Sequence, residues 1–131
     1  MKYHVIGDSL VNNYDYPIVD SFSGMTLEQF MLLLDLYPID EIYVFCFGIN
    51  DLMAGTLEQH VIDNYKILSE KYTNCFIVMP PFQSQSFYDR CINQINQLNV
   101  TIVLTFISEY KSIDGLHPTG NMLHELKNDI E

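Results

Sequence analysis

Four short clusters carry the residue types that acyl transfer uses: Gly7-Asp8-Ser9-Leu10, Ser23-Gly24-Met25-Thr26, Gly48-Ile49-Asn50-Asp51 and Asp114-Gly115-Leu116-His117-Pro118. Moving an acyl group requires a nucleophile, a base for its proton, a group that orients the base, and donors for the oxyanion. Ser9 follows an apolar run, and Gly7 permits a sharp turn that would present its hydroxyl. Of the four histidines, His117 alone stands beyond an apolar run with an acid close by. Asp114 precedes it by three residues, with Gly115 between them to allow a tight bend. That carboxylate is suited to accept from His117 Nδ1–H, which would leave Nε2 facing Ser9. Candidate oxyanion donors are the Ser9 and Gly24 backbone N–H groups and the Asn50 side-chain amide. Gly24 has no Cβ to obstruct a substrate, and loss of one such donor costs on the order of 3 kcal/mol in the barrier. The chain contains no G-x-S-x-G elbow, so the usual α/β-hydrolase form is not indicated.

The elements that must position these clusters are short apolar strands alternating with helices. Strand-like runs are Tyr3–Ile6, Pro17–Phe22, Ile42–Phe47, Cys75–Met79 and Val100–Leu104, several of them continuously apolar, as expected for parallel strands covered on both faces. Thr26-Leu27-Glu28-Gln29 has the capping-box form, with Leu27, Phe30, Met31 and Leu34 following at helical spacing until Pro38. Thr56-Leu57-Glu58-Gln59 repeats that form ahead of Val61, Tyr65, Leu68 and Tyr72. A third helix carries Tyr88, Cys91, Ile95 and Leu98, and a fourth begins after Pro118 with Met122, Leu126 and Ile130. The alternation predicts one α/β domain over residues 1–131, a three-layer α/β/α sandwich around a parallel sheet of about five strands. Ligands of open parallel sheets bind beyond the carboxyl ends of the strands. All four clusters map to that edge.

Together the clusters resemble blocks I, II, III and V of the SGNH/GDSL hydrolases, whose four initials correspond here to Ser9, Gly24, Asn50 and His117. The match runs in order from near the start of the chain to near its end. The resemblance implies a flavodoxin-like sandwich and esterase, lipase, thioesterase or carbohydrate-deacetylase activity without a metal or other cofactor. In one respect the sequence departs from the family: only fourteen residues separate Ser9 from Gly24. That is too few for the long helix usually found there, which suggests a minimal member with one wall of the cleft open.

The remaining composition narrows the partners. Six basic against seventeen acidic residues give a formal charge of −11, which repels phosphate backbones and argues against nucleic acid. No apolar run approaches the roughly 18 residues of a membrane span, and the N-terminus lacks signal-peptide architecture. A small-molecule ester substrate and a cytoplasmic, reducing location are therefore expected, the oligomeric state being left open. Cys46, Cys75 and Cys91 have neither disulfide nor zinc spacing, and the first two read as buried thiols. The histidines share no metal-ligand spacing; His4, His60 and His124 read as surface or satisfied partner groups. Asp8 reads as structural, Asp51 as a cap of the turn that follows it. Loop aromatics (Tyr14, Phe22, Phe82, Tyr110) are candidates to line an acyl or sugar pocket.

Two other classes compete with a short-acyl esterase. A phospho-acceptor receiver domain would use Asp8, Asp51 and Lys111, but it leaves Asp114 and His117 unexplained. A catalytically silent binding module would keep the fold without turnover.

Overall fold

The structure is a computed structural model that describes residues 3–11, 19–73, 75–79, 85–95 and 100–103. Its centre is a parallel sheet of β1 (His4–Gly7), β2 (Val19–Ser21), β3 (Tyr43–Cys46), β4 (Cys75–Val78) and β5 (Val100–Val103), in the order β2-β1-β3-β4-β5. Gly7 faces Ser21 on one side and Cys46 on the other, so the two neighbours of β1 end level with it.

Alternation along the strands divides the core. Ile6, Tyr43, Phe45, Cys75 and Ile77 join the larger cluster, while Val5, Val44, Cys46 and Val78 face the opposite side with Tyr3 and Val11. Both faces are buried, which is why these strands read as continuous apolar runs. On the larger cluster lie α1 (Leu27–Met31), α3 (Glu58–Lys71) and α4 (Gln85–Ile95), with the short α2 (Ile49–Met53) leading into α3. The arrangement is the α/β sandwich expected, with the 2-1-3-4-5 order of flavodoxin-like sheets. The helix expected after Pro118, the end of the third helix at Leu98 and the whole fourth cluster lie outside the described residues. Among the described residues no helix is long and apolar enough to cross a membrane.

Local chemistry accounts for several boundaries. Thr26 forms the expected capping box: its hydroxyl accepts from Gln29 N–H at 3.0 Å, and the Gln29 side chain accepts from Thr26 N–H at 3.0 Å. The helix it starts is shorter than expected, ending at Met31 and giving way to a 3₁₀ turn over Leu34–Leu36. The Tyr72 hydroxyl holds that turn, its one proton shared between Tyr37 O at 2.9 Å and Leu34 O at 3.2 Å. The second capping box does not form, and α3 has Leu57 at its N-cap with no side-chain bond. Two competitors take its parts. Gly55, at φ +87°, closes α2 in a Schellman motif, where Gly55 N–H donates to Leu52 O and Thr56 N–H to Asp51 O. Gln59 in turn bonds Gln94 and Arg90 of α4, and Arg90 also reaches Glu58 at 2.8 Å.

All three cysteines are buried free thiols. Burial pushes Cys75 and Cys91 up to about 12 and holds Cys46 well above its ordinary value, with the Asp8 charge adding to the effect. His4 is satisfied as expected: Nε2 lies 2.8 Å from Asp20 Oδ2, which also accepts from Tyr37 OH at 3.1 Å.

Candidate active site

The site begins where β1 ends. Gly7 packs so closely on β3 that a Cβ there would lie 2.8 Å from both Cys46 Cβ and Cys46 O. Close approach therefore demands this glycine, and not the sharp turn inferred from the sequence, for Gly7 is absent from the positive-φ glycines. Just beyond it, Asp8 N–H donates to Cys46 O at 3.2 Å and Val11 N–H returns to Asp8 O at 3.2 Å. These bonds set a single 3₁₀ turn over Ser9–Val11, with Ser9 half-buried at its first position. This one turn is what the described residues show behind the serine, in keeping with a spacing to Gly24 too short for a long helix; residues 12–18 lie outside the described residues.

The exit of β2 is tied to the same place. Phe22 N–H donates to Gly7 O at 2.8 Å, and Ser21 Oγ donates to Asp8 O at 3.1 Å. Met25 N–H closes back on Phe22 O at 3.1 Å around Gly24, whose φ of +77° suits glycine. Among the described residues, its chain neighbours aside, no atom lies within 4 Å of where a Gly24 Cβ would stand, and the glycine is exposed. Phe22 itself is half-buried and packs against the larger core cluster, while the other loop aromatics considered above lie outside the described residues.

The exit of β3 contributes the third wall. Gly48, at φ +124°, turns the chain into α2 and places Asn50 in its first turn. Tyr65 of α3 braces this exit: its hydroxyl donates to Phe47 O at 2.6 Å in a fully buried setting. Burial holds the Tyr65 phenol well above its ordinary value, the nearby Cys91, Asp51 and Asp8 groups adding to it.

Asn50 joins the three exits. Its Nδ2 donates to Met25 O at 3.1 Å and lies 3.4 Å from Asp8 Oδ2. The residues next to Ser9 and to Gly24 thus both meet the Asn50 amide. In a 2-1-3-4-5 sheet this is the switch point between β1 and β3, where a ligand crevice forms. Asp8 is completely buried, in keeping with a structural role. Asp51, expected to cap the turn after it, instead reaches across to α1 and accepts from Leu27 N–H at 2.7 Å and Glu28 N–H at 3.2 Å. Sequence reasoning missed that bridge; the one local signal was an acid beside Asn50 in a cluster otherwise poor in charge. Asp114 and His117 lie outside the described residues, and among those described no three His, Cys, Asp or Glu side chains group as metal ligands.

No family model and no curated protein matches the chain. Solved structures do. A Streptococcus pneumonia protein named for platelet activating factor superposes with a TM-score of 0.75 at 13% identity, covering 99% of this chain and 83% of that one. The psychrotrophic esterase EstA from Pseudoalteromonas sp. gives 0.62 at 17% identity, over 98% and 94% of the two chains. The SGNH-hydrolase family esterase AlinE4 gives 0.52 at 17% identity, over 98% and 93%. The sheet order, the three strand exits meeting at Asn50 and these superpositions together establish that the chain has the SGNH-hydrolase fold.

Proposed function

We propose that this protein is a single-domain serine hydrolase that cleaves a carboxylic ester, a short acyl ester such as an O-acetyl group on a carbohydrate. In this reading Ser9 Oγ attacks the carbonyl carbon while His117 Nε2 takes its proton, and Asp114 holds the His117 ring through Nδ1–H. The tetrahedral oxyanion is met by the N–H groups of Ser9 and Gly24 and by Asn50 Nδ2. Collapse expels the alcohol, which receives the proton from His117, and leaves an acyl group on Ser9. A water molecule, deprotonated by the same histidine, attacks that ester, releases the acid and restores the serine. No step calls for a metal or other cofactor.

One observation supports the reading: Asn50 Nδ2 is anchored by one N–H on Met25 O at 3.1 Å, and its second N–H, held only by a long 3.4 Å contact to Asp8 Oδ2, is the one that would turn to the oxyanion. The amide assigned to the oxyanion thus sits between the turn of the nucleophile and the turn of Gly24. The likeness in fold to esterases supports it further. The receiver-domain alternative loses its acceptor, because Asp51 is buried and spends its carboxylate on two backbone N–H groups of α1.

Initial-rate hydrolysis of p-nitrophenyl acetate at neutral pH by the wild type and by Ser9→Ala tests the proposal. Turnover by the wild type and background rates for Ser9→Ala are expected, followed by a chain-length series. Equal rates for the two proteins would sink it.

A further inference from the structure

We propose that Asp51 is a positioning residue of this site, whose buried carboxylate sets the distance between the Gly24 turn and the Asn50 amide by gripping the first backbone N–H groups of α1. The inference rests on the hydrolase reading above and assigns a role that the proposed reaction scheme leaves vacant.

Two consecutive residues of α2 hold one short stretch of chain with opposite polarity. Asn50 donates to Met25 O at 3.1 Å, and Asp51 accepts from Leu27 N–H at 2.7 Å and Glu28 N–H at 3.2 Å. The stretch so held follows Gly24 directly. Among the described residues the Gly24 turn is tied to β1 at its start, through Phe22 N–H to Gly7 O at 2.8 Å, and closes on itself through Met25 N–H to Phe22 O at 3.1 Å, which leaves its far end to the bonds from α2. Without the grip from α2, the Gly24 N–H would be free to drift relative to Asn50.

A cap alone does not explain the arrangement. Thr26 already caps α1 through Gln29 N–H, and Glu28 is exposed, so water could satisfy part of what Asp51 satisfies. Asp51 instead lies 1% exposed, and burying a carboxylate is unfavourable unless strong bonds offset it. Two charge-assisted bonds do so, and such bonds are short and directional. The directionality fixes α2 and α1 against each other at the point where two oxyanion donors must stand at one separation. Misplacement of such groups by about 1 Å costs on the order of a hundredfold in rate.

The test compares Asp51→Asn with Thr26→Ala, using p-nitrophenyl acetate kinetics, the rate of Ser9 labelling by a fluorophosphonate, and Tm. Asparagine keeps one acceptor for Leu27 N–H but turns an NH2 toward Glu28 N–H, so one attraction becomes a repulsion. Asp51→Asn is expected to lower kcat about 10- to 100-fold with KM changed less than about threefold. Its fluorophosphonate labelling is expected to slow in step. Thr26→Ala, which loosens the same helix start without touching α2, is expected to lower Tm while holding kcat within about twofold. Should Asp51→Asn fail to fold, Asp51→Glu, which moves the carboxylate by one methylene, is expected to give the same kcat-selective loss. An active wild type with an equally active Asp51→Asn overturns this inference alone, as does an activity loss matched by Thr26→Ala at the same fall in Tm. An inert wild type overturns the hydrolase reading and this inference with it.

Discussion

Replacing Gly7 by alanine asks whether the turn at Ser9 is held by the close contact of β1 with β3. The new Cβ would stand 2.8 Å from Cys46 Cβ and Cys46 O and 3.0 Å from Val11 Cγ2, where carbon contacts are ordinarily about 3.5–4.0 Å. Relief requires the two strand ends to part by the better part of an ångström, because the opposing atoms are backbone and a Cβ, which no rotamer change can move. β1 is also paired to β2 at the same residue, so it has no free side to retreat to. Overpacking of this kind costs typically 1–3 kcal/mol, and the rigid neighbours put Gly7→Ala near 3 kcal/mol. For a domain of this length that corresponds to a fall in Tm of roughly 10 °C. Gly55→Ala supplies the comparison: its φ of +87° is strained for alanine, but among the described residues, its chain neighbours aside, no atom lies within 4 Å of the new Cβ, so about 1–2 kcal/mol is expected. With no tryptophan and nine tyrosines, urea melts followed by tyrosine fluorescence and far-UV circular dichroism would measure both. The reasoning is refuted if Gly7→Ala is within about 0.5 kcal/mol of the wild type, where ordinary surface substitutions fall, or costs less than Gly55→Ala.

Three further outcomes follow from the same geometry. Asn50→Ala is expected to lower kcat about 10²- to 10³-fold with little change in KM, the signature of a donor used mainly in the transition state; steady-state kinetics check it. Tyr65→Phe leaves the buried Phe47 carbonyl without its 2.6 Å donor and is expected to cost about 1–3 kcal/mol, read as a lower urea midpoint. Cys75 and Cys91 hold their protons up to about 12, against 9.0 for the ordinary thiol. Above pH 9 the unfolded chain releases these protons while the folded one keeps them, so stability is expected to fall as pH rises from about 9 toward 12. Denaturant melts across that range would show it, and the native thiols should resist alkylation at pH 8 yet react once unfolded.

Much of the fold was legible because its signals are local. β3 and β4 are buried on both faces, so their runs are apolar without interruption, and the first capping box needs only residues within one turn. The second box shows the limit. The same four residue types fail to cap α3 because Thr56 N–H is already bonded to Asp51 O and Gln59 is drawn to α4, and neither competitor is visible in the motif itself. The early end of α1 has a similar origin, since Tyr72, just past the end of α3 and far along the chain, secures the Leu34 and Tyr37 carbonyls. At the site, the strand exits carrying Ser9, Gly24 and Asn50 were legible from glycine and polar residues following apolar runs. The reason for Gly7 was not, because the close approach of Cys46 is a property of sheet register. Asp51 was misread for the same cause: its partners, Leu27 and Glu28, precede it by more than twenty positions, and nothing in the local pattern names them.

The central claim is that Ser9 is an activated nucleophile. The most direct measurement is fluorophosphonate labelling of the folded wild type, Ser9→Ala and His117→Ala, with the modified residue identified by peptide mass spectrometry. The account predicts a single adduct on Ser9 in the wild type, none on Ser9→Ala, and labelling of His117→Ala slowed by several orders of magnitude. A folded wild type that leaves Ser9 unlabelled, or labels another residue equally in all three proteins, would contradict it.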